Sequence, residues 1–193
     1  MQTTVAPTES PTYRFTIEDY LKMGETGILR PEDRVELIDG QVVTMSPIGN
    51  WHIAAIARLN RILAEQVDEA YCLSPQGGLN IGRHTQLVPD FVVARVEDPW
   101  ETGVTGPDAV LVIEVSYSSL ASDRTTKKAI YAAEGVPEYW IVDLAGRSVE
   151  VYRDPREGEY VTRTVYGPGS AVPCSVIPGV SVPVSQVTPP EEA

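Results

Sequence analysis

Apolar residues recur at steps of three and four from Ile53 through Ile56, Leu59 and Leu63 to Val67, which predicts an amphipathic helix over residues 51 to 67 with His52 near its start. Shorter patterns surround it. Arg34-Val35-Glu36-Leu37-Ile38, then Asp39-Gly40, then Gln41-Val42-Val43-Thr44-Met45 predicts a hairpin, because Asp-Gly accommodates the positive φ angles of a type I′ turn. Thr16 before Ile17-Glu18-Asp19-Tyr20-Leu21 predicts an N-cap and a short helix, with Asp19 in the capping-box position. Residues 70 to 95 read as strands punctuated by Gly77-Gly78 and Gly82, and a loop over 96 to 107 leads to the buried run Ala109-Val110-Leu111-Val112-Ile113. Ser122 or Asp123 can then cap a helix through about Ala133, which Gly135 ends. Glu138-Tyr139-Trp140-Ile141-Val142, residues 147 to 153 and residues 160 to 165 predict three further strands, the first two joined at Ala145-Gly146. Prolines at 168, 173, 178 and 183 predict an irregular strap over 166 to 187.

The order helix, hairpin, helix, strands, helix, strands predicts an α/β or α+β class with a mixed β-sheet flanked by helices, an N-terminal hairpin and C-terminal strands. With 193 residues, 42% of them hydrophobic, the chain suits one compact domain over 13 to 188, with a disordered leader over 1 to 12 and a flexible tail over 189 to 193. No apolar run approaches membrane-spanning length and the polar N-terminus does not read as a secretion signal, so a cytoplasmic protein without a membrane partner is expected. Cys72 and Cys174 are too few for a disulfide framework, and neither they nor His52 and His84 have partners at zinc-ligand spacing.

Charge complicates the functional reading. Fifteen basic against 27 acidic residues argue against strong non-specific binding to nucleic acid, which depends on Lys and Arg neutralising phosphates. A cleft can still be locally basic, and Arg58, Arg61, Arg83, Arg95, Arg124, Lys127 and Lys128 all fall in segments expected near the site. Within those segments, the run Ala109 to Ile113 ends in Glu114, and Asp90 precedes the strand-like Phe91-Val92-Val93-Ala94. An apolar strand has no internal use for a carboxylate, so each acid is either solvated at a strand end or aimed at something. Two such acids with Lys127 nearby make a plausible cation site, the minimum for metal-assisted phosphodiester hydrolysis.

Val35-Glu36-Leu37-Ile38-Asp39-Gly40, Met45-Ser46-Pro47, His52, Pro89-Asp90, Val112-Ile113-Glu114-Val115, Ser118, Asp123, Lys127, Tyr131 and the run from Gly135 to Asp143 resemble the Uma-two family of restriction-type endonucleases, within the PD-(D/E)XK nuclease superfamily. The resemblance extends from about Tyr13 to Val187, including Ile177-Pro178-Gly179. It implies a restriction-endonuclease-like core and Mg²⁺-dependent cleavage of DNA, with Asp90 as the motif aspartate and Glu114 as the motif (D/E). Two positions after Glu114 the sequence has Ser116 where the motif has lysine, and the family's displaced lysine falls on Lys127. The family also has a glutamate at Glu36, which here is either a third acid near the metal or an outward-facing strand residue. Mg²⁺ prefers oxygen ligands and keeps several waters, so Asp90, Glu114 and the Val115 carbonyl suit it, with Mn²⁺ as a substitute.

Taken alone, Asp90 also reads as a strand start, Lys127 as a helix-surface residue and His52 as a polar contact near a helix start, while Tyr131, Tyr139 and Trp140 read as core. The leading expectation is a DNA endonuclease, as a homodimer that cuts two strands symmetrically. The alternative is a catalytically inactive nuclease-fold module that binds nucleic acid or protein, favoured by the acidic charge and by Ser116. A two-carboxylate sugar hydrolase needs an aromatic-rich cleft, and only 7% of the residues are aromatic.

Overall fold

A computed structural model describes residues 12–30, 32–95 and 103–191. The predicted leader therefore lies outside the described residues except for residue 12, as do residues 96 to 102 of the predicted loop and the last two residues of the predicted tail.

Helix α1 (Ile17–Glu25) starts at Thr16, whose hydroxyl accepts from the Asp19 N–H while the Asp19 carboxylate accepts from the Thr16 N–H, the reciprocal cap expected from the sequence. Strands β1 (Val35–Ile38) and β2 (Gln41–Thr44) form the predicted hairpin, with Asp39 and Gly40 at φ 49° and 74°. Helix α2 (Asn50–Gln66) comes next, then β3 (Cys72–Pro75), β4 (Leu79–Ile81), β5 (Thr85–Leu87) and β6 (Phe91–Ala94). After β7 (Val104–Thr105) and a single 3₁₀ turn (Gly106–Asp108) comes β8 (Ala109–Ser116). A short helix α3 (Leu120–Ser122) passes through a π-turn (Asp123–Lys127) into α4 (Lys128–Ala133), and β9 (Glu138–Asp143), β10 (Ser148–Arg156) and β11 (Glu159–Tyr166) complete the main strands.

Six strands form one mixed sheet in the order β11-β10-β9-β8-β6-β3, and five shorter ones form a second in the order β2-β1-β5-β4-β7. Only β8 and β9 run parallel in the larger sheet, and the helical segment between them makes the crossover that a parallel pair requires. Both faces of β8 are buried. Leu111, Ile113 and Val115 pack towards α2 and the C-terminal segment, whereas Val112 packs among Tyr131, Tyr139 and Leu87 beneath the smaller sheet. Side chains alternate along a strand, so Glu114 shares the face of Val112 and enters the second of these cores.

Three expectations change. Helix α2 buries Ala55, Leu59, Ile62 and Leu63, while Ile53 is 57% exposed, so its inward face includes the small Ala55 that an apolar-spacing argument passes over. The crossover helix begins at Leu120, before either predicted cap, and is interrupted by the π-turn. The predicted strap contains regular structure: β12 (Ala171–Pro173) and β13 (Ser181–Pro183) pair antiparallel and lead into a short helix α5 (Val184–Val187) packed on α2. Pro173 and Pro183 are the terminal residues of this two-stranded ladder, where a missing N–H costs little.

Candidate active site

The site lies where the two sheets meet. Register Phe91↔Ile113 brings Asp90, one residue before β6, beside Glu114 near the end of β8. Asp90 Oδ2 accepts from the Val115 N–H at 2.7 Å and lies 3.1 Å from His52 Nε2, so the strand end and the first turn of α2 both fix this carboxylate. A strand residue's N–H and C=O point to the same side, which turns the Val115 carbonyl towards Asp90 as well, beyond the end of β6.

Glu36 comes from the other sheet. The hairpin carries it inward on β1, where it is 4% exposed and its Oε1 accepts from the Val88 N–H at 2.8 Å. Glu36 is therefore not an outward-facing strand residue. Lys127, 7% exposed, extends between Glu36 and Glu114, with Nζ 2.9 Å from Glu36 Oε1 and 3.0 Å from Glu114 Oε1. Tyr131, one turn on, donates its hydroxyl to the same Glu114 oxygen at 2.8 Å. Lys128 faces elsewhere, 3.8 Å from Glu159 and over the Tyr152 ring.

The π-turn is what aims Lys127. Such turns insert a residue into the helical repeat and rotate the next turn of helix about its axis, and they concentrate at functional sites. Ser116 contributes from the motif lysine position: its buried hydroxyl donates to Asp123 Oδ2 at 2.6 Å, and Ser119 donates to the same oxygen at 2.7 Å. Serine cannot supply a cation, but it tethers the start of the turn that delivers one.

A cleft of about 560 Å³ opens onto this cluster, lined by Glu36, Asp90, Glu114, Asp123, His52 and Lys127 among others. Burial pushes the Glu114 carboxyl up to about 8; the Lys127 ammonium opposes that rise, and the charges of Asp123, Asp90 and Glu36 add to it. Burial acts to lower Lys127, but Glu114, Glu36 and Asp123 more than reverse this and hold it charged above its ordinary range. Tyr131 is raised well above its ordinary value, by burial and then by Glu114, so it stays a hydrogen-bond donor.

Among the described residues no three His, Cys, Asp or Glu side chains converge on one point in the geometry of a metal centre; the acids converge on the Lys127 ammonium instead. The donor set nevertheless fits a hard divalent ion. Asp90 and Glu114 each have one oxygen without a hydrogen-bond partner among the described residues, and the Val115 carbonyl faces the same side.

Asp90, Glu114, Val115, Lys127 and Glu36 are thus brought together, but most of the basic residues expected nearby are not. Arg58 donates to the Gln186 carbonyl, Arg61 pairs with Glu65, Arg95 contacts Tyr71 and Arg124 pairs with Asp143 and Glu150. Arg34, which sequence reasoning passed over, does line the cleft. Asp123 was also missed as a site acid; its Oδ1 is buried without a partner. Its spacing was the available signal, since Asp123, Lys127 and Tyr131 recur at steps of four. Tyr131, Tyr139 and Trp140 are fully buried as expected, and Tyr131 also reaches the site.

No curated protein matches the chain. A crystal structure of a "putative nuclease belonging to DUF820" from Anabaena variabilis ATCC 29413 superposes with a TM-score of 0.71 at 18% identity, over 90% of this chain and 97% of that one. The chain therefore shares that protein's fold, with mixed sheets flanked by helices. The Uma2 family, described as "Putative restriction endonuclease", matches residues 17–185, and on that extent the chain belongs to it.

Proposed function

We propose that this protein is a divalent-metal-dependent endonuclease that hydrolyses DNA phosphodiester bonds. The observation that carries this reading is the convergence of Asp90, Glu114 and Lys127 in one cleft, with the lysine supplied from the crossover helix after serine takes its usual strand position. Mg²⁺, or Mn²⁺ in its place, would be held by the free oxygens of Asp90 and Glu114 and the Val115 carbonyl. The chemistry that a bound divalent ion contributes is Lewis acidity, which acidifies water and offsets charge gathering on the phosphoryl oxygens.

The chain's own groups have distinct tasks. Asp90 is held in place by the Val115 N–H and faced by His52, and Glu114 by Tyr131, so both are oriented before substrate arrives. Lys127 places a permanent positive charge beside the position of a scissile phosphate, where a preorganised cation stabilises the transition state. Glu36 holds that ammonium from the opposite side.

Free thiols at Cys72 and Cys174 fit a reducing, cytoplasmic setting, which belongs to the same proposal. So does a homodimer; β11 is an edge strand of the larger sheet and carries Val161 and Val165 exposed. Calorimetric titration with Mn²⁺ tests the ligand set: the wild type should bind and Asp90→Ala should not. Equal binding by that variant overturns the ligand assignment, and metal binding without any DNA cleavage favours the inactive module.

A further inference from the structure

The floor of the cleft is acidic, but its lip is apolar and uncovered. Trp51, in the first turn of α2, is 51% exposed, and Tyr117, one residue beyond β8, is 62% exposed. Ile48 and Val43, at 40% and 39%, extend the same lip along the hairpin side, and all four line the cleft. Neither aromatic ring stacks on another ring among the described residues. Single exposed apolar residues are ordinary, whereas several around one cleft mark a binding surface.

The charges around the cleft say what the surface does not bind well. Among the described residues that line the cleft, Glu36, Asp90, Glu114 and Asp123 face two permanent cations, Arg34 and Lys127. Lys127 is paired with two of the acids, and Arg34 donates to the Ser46 carbonyl at 2.6 Å. Few cations are left for phosphates along a duplex. Duplex DNA is gripped mainly through phosphate neutralisation, which is unfavourable on a chain whose net charge is −12. Unpaired strands offer another source of affinity, because each base has a flat face that stacks on an exposed aromatic ring whatever the sequence. The acids also lie deep: Asp90 is 8% exposed and Glu114 4%, so a phosphate must enter the recess to reach them. A base-paired backbone is held at the rim by its complementary strand, whereas a single strand can bend inward.

Resting on the reading of the site as a phosphodiesterase, we infer that the strand received by this cleft is unpaired DNA, with bases stacked on Trp51 and Tyr117 at the lip. The order of binding strength is therefore single-stranded DNA before duplex DNA of the same sequence, and the ring at position 51 is the source of the difference.

Fluorescence anisotropy of a labelled 12-nucleotide strand, alone and annealed to its complement, tests this in Ca²⁺ with the oligonucleotide recovered intact. The single strand should bind at least tenfold more tightly than the duplex. Trp51→Ala should weaken single-strand binding about tenfold and narrow the ratio, whereas Trp51→Phe, which keeps a flat ring, should preserve the preference. Duplex binding as tight as single-strand binding overturns the inference, as does unchanged single-strand affinity in Trp51→Ala. A mass that halves in Trp51→Ala by light scattering, with DNA affinity unchanged, also overturns it by assigning the lip to a second copy of the chain. Cleavage in Mg²⁺ is read separately. A strand preference without cleavage supports this inference while removing the phosphodiesterase reading, and cleavage without a preference does the reverse.

Discussion

At the scale of single residues, two adjacent lysines have different environments and different expected roles. Lys127 is buried against Glu36 and Glu114, while Lys128 sits over Tyr152. Lys127→Ala should lower Mg²⁺-dependent nicking by on the order of 10²-fold or more while leaving Mn²⁺ binding measurable, the loss typical of one transition-state donor. The same change leaves the buried Glu36 carboxylate without its cation, so a loss of stability in denaturant unfolding is expected beside the lost activity. Lys128→Ala should reduce nicking only modestly, and the opposite ranking would contradict the assignment. Glu114→Gln should raise the melting temperature in chelator at pH 8. A carboxyl pushed up to about 8 holds its proton longer folded than unfolded, so ionising it costs stability progressively as pH rises from about 4.5; a lower melting temperature for the variant counts against this. Asp90, Glu114 and Lys127 stood out in the sequence through strand ends and family resemblance, whereas Asp123 offered only its four-residue spacing to Lys127, and Arg34 offered no signal as a cleft residue. Asp123 begins the π-turn, which cannot be read from apolar spacing, and Arg34 directly precedes β1.

At the scale of elements, the hairpin was the clearest signal, and it places Glu36 in the site. Gly40 has φ 74°, and a Cβ there would lie 2.5 Å from the Arg14 Cβ, so neither conformation nor space admits a side chain. Gly40→Ala should destabilise the protein by more than about 1 kcal/mol in denaturant unfolding, and a neutral effect would show that the hairpin is looser than described. A second tie joins the π-turn to the far strands: Glu150 on β10 accepts from Arg124 and, at 3.2 Å, from Arg163 on β11. Burial works to raise its carboxyl, but hydrogen bonds from Arg124, Arg163 and Tyr152 outweigh it and leave it below the ordinary value. A depressed acid contributes stability that is present above its unfolded pKa and lost as pH falls through the folded one. The melting-temperature deficit of Glu150→Gln should therefore be largest near pH 7 and shrink below about pH 4.5; a deficit constant down to pH 3 would contradict it. The α2 face and the C-terminal ladder were less legible, because small residues such as Ala55 carry no apolar signal and because edge prolines are compatible with short strands as well as with loops.

At the scale of the whole molecule, pattern reasoning predicted a mixed sheet flanked by helices but not that a second sheet would meet it to form the cleft. The strands of that sheet are only two to four residues long, too short for alternation to distinguish them from loop. The proposed homodimer predicts a light-scattering mass near twice the 21.0 kDa of one chain at micromolar concentration, and a mass near 21.0 kDa would remove it. Acidic overall charge and an apolar lip together favour few phosphate contacts, so binding should also be less salt-sensitive than that of a basic nuclease. Hydrolysis of DNA by Asp90, Glu114 and Lys127 with a divalent ion is the reaction on which these expectations depend, and one assay addresses it without intermediaries. Purified wild type and Asp90→Ala are incubated with supercoiled plasmid and with circular single-stranded DNA, in Mg²⁺, in Mn²⁺ and in chelator. Nicking or linearisation is expected from the wild type with either ion, with none in chelator and none by Asp90→Ala. Intact DNA with the wild type under every condition, or equal cleavage by the variant, would contradict the assignment of this site.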